Sequence, residues 1–299
     1  MIYDEVVAAM RRIERGFPIK TLSRNRQLGE NQSLAQGRGI DFYQYREYDP
    51  GTDSVEQIAW GVQAGFGDEV YVREARPTRE FPLLILADTS SSLRFGPELF
   101  PPKLRLLLEV AGTLGLTAAY QRDRVGLLAF ADKVLIEERP RGGESNVYYL
   151  ILQLCKFFEK FADAEKPRKT DLWQAVDYVR RNFPEPCLVA VLSDFVGCEA
   201  IADSPLLRSP HEFIFFILED EEEFSSLPQS GILHMSDMET GKRTDISLGK
   251  LRKLEAHLKE KQDDFRKRLQ KNGVDSLVLN YGGHFEALAK FSEERRWQA

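Results

Sequence analysis

Asp88, Ser90 and Ser92 lie in the run Leu-Leu-Ile-Leu-Ala-Asp-Thr-Ser-Ser-Ser, residues 83–92. The aliphatic part reads as a strand ending at Asp88, and the two hydroxyls follow at once. So short a loop lets one carboxylate and two hydroxyls converge on a point. An all-oxygen cradle is hard, and it suits Mg²⁺ rather than zinc or copper. Two later loops carry donors of the same kind. Thr170-Asp171-Leu172 precedes a helical pattern, and Ser193-Asp194-Phe195 follows the aliphatic run Cys187–Leu192. In open α/β sheets, ligands bind beyond the carboxyl ends of the strands, where the direction of connection reverses. Asp88, Ser90, Ser92, Thr170 and Asp194 are therefore expected to meet at one edge of a sheet. The hydroxyls would bind an ion directly, and the two carboxylates would offset its two charges, directly or through water. Mg²⁺ keeps octahedral geometry at about 2.1 Å and retains waters, so one open position would accept a carboxylate from outside. Each donor alone also has a structural reading. Thr170, Asp171 and Asp194 are ordinary helix caps, and serine hydroxyls satisfy loop amides. Their order after the first motif favours the metal.

The elements that must position these residues follow from texture. After Arg79, aliphatic runs alternate with helical periodicity. Strands fit 81–87, 124–130, 133–138, 187–193 and 211–218, and helices fit 103–121, 146–161, 171–182 and 199–208. Alternation of this kind predicts an α/β fold, a mostly parallel sheet flanked by helices. The pair 124–130 and 133–138 predicts a hairpin with one antiparallel edge strand. An additional hairpin is expected near 231–247, then a long charged helix over 249–271, a strand over Val274–Leu279 and a closing helix over 284–297. Ahead of residue 80 the texture differs. Residues 4–15 form an amphipathic pattern through Val6, Val7, Met10 and Ile13, and 16–40 reads as an extended connection. Residues 40–80 are aromatic and charged by turns, with a turn at Asp49-Pro50-Gly51. The expected organisation is an N-terminal accessory segment, 1–79, packed on a main domain, 80–299, and Trp60 is expected to be buried.

Bulk properties narrow the function classes. With 42% hydrophobic and 29% charged residues the chain is an ordinary globular one, and 299 residues bury a core without disulfides. A net charge of −6 argues against nucleic acid as the main partner. Cys155, Cys187 and Cys198 have neither CxxC spacing nor a histidine at ligand spacing, so they read as buried thiols in a reducing compartment. No apolar run nears the roughly 20 residues of a membrane span, and Met-Ile-Tyr-Asp-Glu does not open a signal peptide. A cytoplasmic protein is expected. The acidic run Glu219–Glu223 reads as a solvated loop.

The five donors resemble the metal-ion-dependent adhesion site (MIDAS) of von Willebrand factor type A (vWA) domains. There, Asp-x-Ser-x-Ser is followed by a distant Thr and a distant Asp, the positions held here by Asp88, Ser90, Ser92, Thr170 and Asp194. Three further stretches precede the metal motif: Gly37-Arg38-Gly39-Ile40-Asp41-Phe42, Arg46-Glu47-Tyr48-Asp49-Pro50-Gly51 and Ile58-Ala59-Trp60. They resemble the bacterial domain-of-unknown-function family fifty-eight. Asp123–Leu127, Ser193-Asp194-Phe195 and Asp237–Gly241 resemble its later landmarks. The resemblance implies a vWA-like (Rossmann-like) fold, bound Mg²⁺ or Mn²⁺, and a protein partner that offers an acidic residue. It also implies an adaptor working with a MoxR-type AAA+ ATPase on a client protein during chaperone-like maturation or assembly. This chain departs from the family pattern in two places. Asp53–Gln57 lacks an Arg pair, and Pro167-Arg168-Lys169 stands where glycines are usual. Two cations beside Thr170 are expected to weaken metal binding.

A G-x-x-x-x-G-K-[ST] motif is absent, so ATP hydrolysis would belong to the partner. The chain is expected to be no enzyme. Two other readings stand beside the adaptor: a vWA-like interaction module with a non-functional metal site, and a Mg²⁺-dependent phosphoester hydrolase. The latter lacks a nucleophile and base pair, because His211, His234, His257 and His284 are far from the metal loops in sequence.

Overall fold

A computed structural model describes residues 2–11, 42–51, 53–55, 58–59, 70–75, 82–94, 100–160, 168–220, 232–236 and 243–297. Helix α1 is Ile2–Met10, and strands β1 and β2 are Phe42–Glu47 and Tyr71–Ala75. Strand β3 is Leu83–Asp88, α2 is Pro102–Tyr120, and β4 and β5 are Val125–Phe130 and Val134–Arg141. Helices α3 and α4 are Glu144–Lys160 and Leu172–Asn182; β6 and β7 are Leu188–Ser193 and Glu212–Glu219. The chain continues with β8 and β9 (Ile232–Ser236 and Arg243–Ser247), α5 (Leu248–Lys271), β10 (Asp275–Asn280) and α6 (His284–Trp297).

Six strands form the main sheet in the order β10-β7-β6-β3-β4-β5, all parallel except β5, which runs antiparallel to β4. The expected mostly parallel α/β sheet is therefore present. Its central strands are apolar on both faces, because helices cover both. On one side Leu83, Ile85 and Ala87 join residues of α1, α2, α3 and α6. On the other, Leu84 and Leu86 join α4, α5 and the segment after β6. Every residue of α2 from Leu106 to Ala118 is buried, so this helix is the spine of the first layer. Helix α1 docks on it where Gly112 leaves room: a Cβ there would lie 2.4 Å from Met10 Sδ.

One close polar contact and two ion pairs fasten α6. His284, in its first turn, places Nε2 3.0 Å from Glu109 Oε2 of α2. Arg295, buried in its last turn, pairs with Glu212 and Asp275, the first residues of β7 and β10. The expected hairpin near 231–247 is present as β8 and β9. The expected helix over 199–208 is not. Two 3₁₀ turns, Glu199–Asp203 and Pro205–Leu207, take its place. Ser204 is extended ahead of Pro205, which supplies no N–H, and its hydroxyl accepts from Leu206 N instead.

The chain divides into two compact units, Met1–Arg24 with Phe81–Ala299, and Asn25–Glu80. In this division α1 groups with the main sheet, and the second unit ends at Glu80. The apolar face of α1 is satisfied by α2, although residues 11–82 intervene before β3. In the second unit, β1 and β2 pair antiparallel, and Asp49 accepts from Gly51 N to close the expected turn. Trp60, the connection over 16–40, the motif Gly37–Asp41, the acids at 221–223 and Asp237–Gly241 lie outside the described residues. The described helices include none long and apolar enough to cross a membrane.

Candidate metal centre

Strands β3 and β6 are neighbours in the sheet, yet β3 continues to β4 on one side and β6 to β7 on the other. This is the switch point, where two loops diverge and leave a crevice. Asp88 ends β3, and Asp194 follows β6 directly. Ser91 N donates to Arg168 O at 3.2 Å, and Arg168 N returns a bond to Ser91 Oγ at 2.9 Å. Asp171 N donates to Ala131 O at 2.8 Å and its carboxylate caps α4 by accepting from Gln174 N. Thr170 is thereby carried to the end of β3.

All five predicted donors come together. Ser90 Oγ and Ser92 Oγ are 2.9 Å apart, and Ser92 Oγ donates to Asp194 Oδ1 at 3.2 Å. Thr170 Oγ1 donates to Asp88 Oδ2 at 3.3 Å. Asp88 Oδ1 accepts from Ser90 N at 2.7 Å. Asp88 and Ser90 are fully buried, whereas Ser92 and Thr170 are half-buried. Among the described residues no three His, Cys, Asp or Glu side chains gather. The donor set is two carboxylates and three hydroxyls. Hydroxyl protons rotate, so Ser90, Ser92 and Thr170 can turn lone pairs toward an ion by giving up these mutual bonds. One oxygen is already unspent: Asp194 Oδ2 is buried and has no hydrogen-bond partner among the described residues. That orphan, with the hard oxygen set, fits a divalent cation.

Sequence reasoning missed two residues here. Ser193 Oγ donates to Asp88 Oδ2 at 2.6 Å and accepts from Phe195 N at 3.0 Å, so it orients the first carboxylate. Phe195 has φ of +55°, a left-handed backbone that bulky residues seldom adopt. Its buried ring, packed on Phe215 and Phe265, holds the chain in that turn and aims Asp194 back into the crevice. The second is Lys103, in the first turn of α2, whose ammonium is 3.7 Å from Asp194 Oδ2. The cations expected to disturb the site do not touch these carboxylates. Arg168 lies over the Phe157 ring at 5.2 Å, and Lys169 is exposed. No local signal marked Lys103, which stands 91 positions from its partner.

Burial pushes the Asp88 carboxyl up to about 7, with the nearby Asp194 charge adding to it. In the unfolded chain the same group titrates near 3.8. The folded, metal-free protein thus holds this proton more tightly. Asp88's contribution to stability is fully present below about pH 4 and is lost as pH rises to about 7. The loss is on the order of a few kcal/mol. Urea titrations in EDTA at pH 4.5, 6 and 8 measure it; a wild-type midpoint that holds or rises toward pH 8 relative to Asp88→Asn contradicts it.

The molecule is therefore a doubly wound α/β protein with an oxygen-rich acidic crevice at its switch point. The family model described as Protein of unknown function DUF58 matches residues 44–267, and the chain belongs to that family. An aerotolerance-related membrane protein from Bacteroides fragilis NCTC 9343, solved with multiple mutations to serines, is similar at 14% identity and a TM-score of 0.39. The likeness covers 73% of this chain and 99% of that one. BatB, a conserved hypothetical protein from Bacteroides thetaiotaomicron, is similar at 13% identity and a TM-score of 0.38 over the same shares. No curated protein matches the chain.

Proposed function

We propose that the chain is a non-enzymatic, metal-dependent protein-binding adaptor with a vWA-like main domain. Asp88, Ser90, Ser92, Thr170 and Asp194 hold Mg²⁺ or Mn²⁺ in an adhesion-type site. An Asp or Glu of the partner completes the coordination. The partner is a MoxR-type AAA+ ATPase, or the client that the ATPase matures, in the cytoplasm. The observation that carries this reading is the buried Asp194 Oδ2 without a hydrogen bond, amid four other oxygen donors. The surroundings also support it. Val196 and Trp173, two and three residues from Asp194 and Thr170, are 45% and 42% exposed. An aromatic anchor such as Trp173 buries well beside a charged contact.

A module without a working metal is the second reading, and the bonds among Ser90, Ser92, Thr170 and the aspartates favour it. A phosphoester hydrolase is the weakest. It needs a base near the crevice, and the histidines with described side chains are engaged elsewhere: His211 with Cys187, His284 with Glu109, His257 near Glu260.

Partner capture on immobilised protein separates the first two. The adaptor reading expects a MoxR-type ATPase to be retained with Mg²⁺ and released by EDTA. Trp173→Ala should cut retention about tenfold or more with Mg²⁺ affinity unchanged. Retention that ignores EDTA rules out the metal bridge.

A further inference from the structure

We propose that Lys103 is the resident counter-cation of the crevice and competes with the divalent ion for Asp194, setting metal affinity low enough for exchange. The inference rests on the metal reading above and names the residue that regulates it.

Lys103 opens a helix whose body is apolar and buried, and its own side chain is only 10% exposed. Lysines in such positions are rare unless a carboxylate faces them. Asp194 is one such carboxylate, and its oxygen facing Lys103 is the one with no hydrogen bond. At 3.7 Å the contact is an ion pair without a formed hydrogen bond, easily given up. A divalent ion would approach Oδ2 to about 2.1 Å with twice the charge. The ion and the ammonium both claim that oxygen, and each raises the cost of the other. Without metal, Lys103 offsets one of the two crevice carboxylates, so the domain folds before loading. With metal, the flexible four-carbon stem lets the ammonium withdraw. The Lys103 charge also favours an incoming partner carboxylate, which would meet both cations at once.

The test uses isothermal titration of Mg²⁺ and Mn²⁺ into the full chain at pH 8. Lys103→Met keeps the stem volume without the charge, and Lys103→Arg keeps the charge. The expected result is at least tenfold tighter binding by Lys103→Met, with Lys103→Arg near wild type. In EDTA, Lys103→Met should melt earlier than wild type, and Mg²⁺ should shift its Tm further. Should Lys103→Met fail to fold, the wild-type protein answers instead: the Lys103 ε-methylene NMR signal should move on Mg²⁺ saturation. Wild type and Lys103→Met binding metal equally overturns the inference and leaves the metal reading intact, as does an unmoved Lys103 signal in metal-loaded wild type. Binding by neither protein removes both. Binding by Lys103→Met alone supports the competition and removes the metal from the native function.

Discussion

Asp88→Asn is expected to weaken Mg²⁺ binding by about a hundredfold or more while leaving the metal-free protein at least as stable as wild type at pH 8. The two halves share one cause. Asp88 is wholly buried, and both desolvation and Asp194 oppose its charge. In the metal-free protein that charge is costly, and the proposed cation would offset it. Asparagine keeps the shape: its Oδ1 can still accept from Ser90 N, while its Nδ2, in the place of the native Oδ2, would donate to the Ser193 hydroxyl that donates to the carboxylate in the wild type. It removes the charge that repels Asp194 and also half of the negative charge available to an ion. Carboxylate ligands must be ionised to bind, so wild-type affinity should also fall about tenfold per pH unit below about 7. Titration calorimetry at pH 6, 7 and 8, with denaturant melts in EDTA, reads both effects. A variant that binds Mg²⁺ as wild type does would place the ion elsewhere. A variant that loses binding because it unfolds would show Asp88 to be structural.

Arg295→Met is expected to cost about 3–5 kcal/mol of stability, the usual penalty for removing one side of a buried ion pair. The guanidinium is 4% exposed and sits between Glu212 and Asp275, with its carbon 5.6 Å from the Phe291 ring. These contacts tie the last turn of α6 to the amino ends of β7 and β10. Methionine fills part of the space but leaves two carboxylates without their cation. A drop in Tm on the order of 10 °C follows for a domain of this size. Arg266→Met supplies the control, since Arg266 is about half exposed and its contact with Asp263 spans 3.8 Å. That change should stay within about half a kcal/mol. The crevice lies at the carboxyl ends of the strands, so Mg²⁺ affinity of folded Arg295→Met should match wild type. Equal melting of Arg295→Met and Arg266→Met would mean the buried cluster contributes no net stability.

Much of the sheet was legible because parallel central strands must be apolar on both faces. Expected strands at 124–130, 187–193 and 211–218 are found at 125–130, 188–193 and 212–219. Period and capping located α4 within a residue, with Asp171 as its cap. The segment after β6 was misread because its apolar residues have helical spacing, while Pro205 denies them a helix. Pairing of β1 with β2 was not legible, since aromatic and charged residues alternate there without an aliphatic run.

The donor set came from sequence alone, since Asp88, Ser90, Ser92, Thr170 and Asp194 were named from type, order and position after strand-like runs. So did the proposal of a hard ion, because donor chemistry belongs to the side chains. Only the tertiary structure decided that β6 lies beside β3, which brings Ser92 to Asp194 across 102 positions and Thr170 to Asp88 across 82. It alone decided that Asp88 is buried, that Ser193 aims it and that Lys103 faces the open oxygen of Asp194. Backbone preference is a local property and can be read within a window of residues. Burial and the field at a carboxylate are sums over neighbours distant in the chain, and strand order decides which neighbours those are.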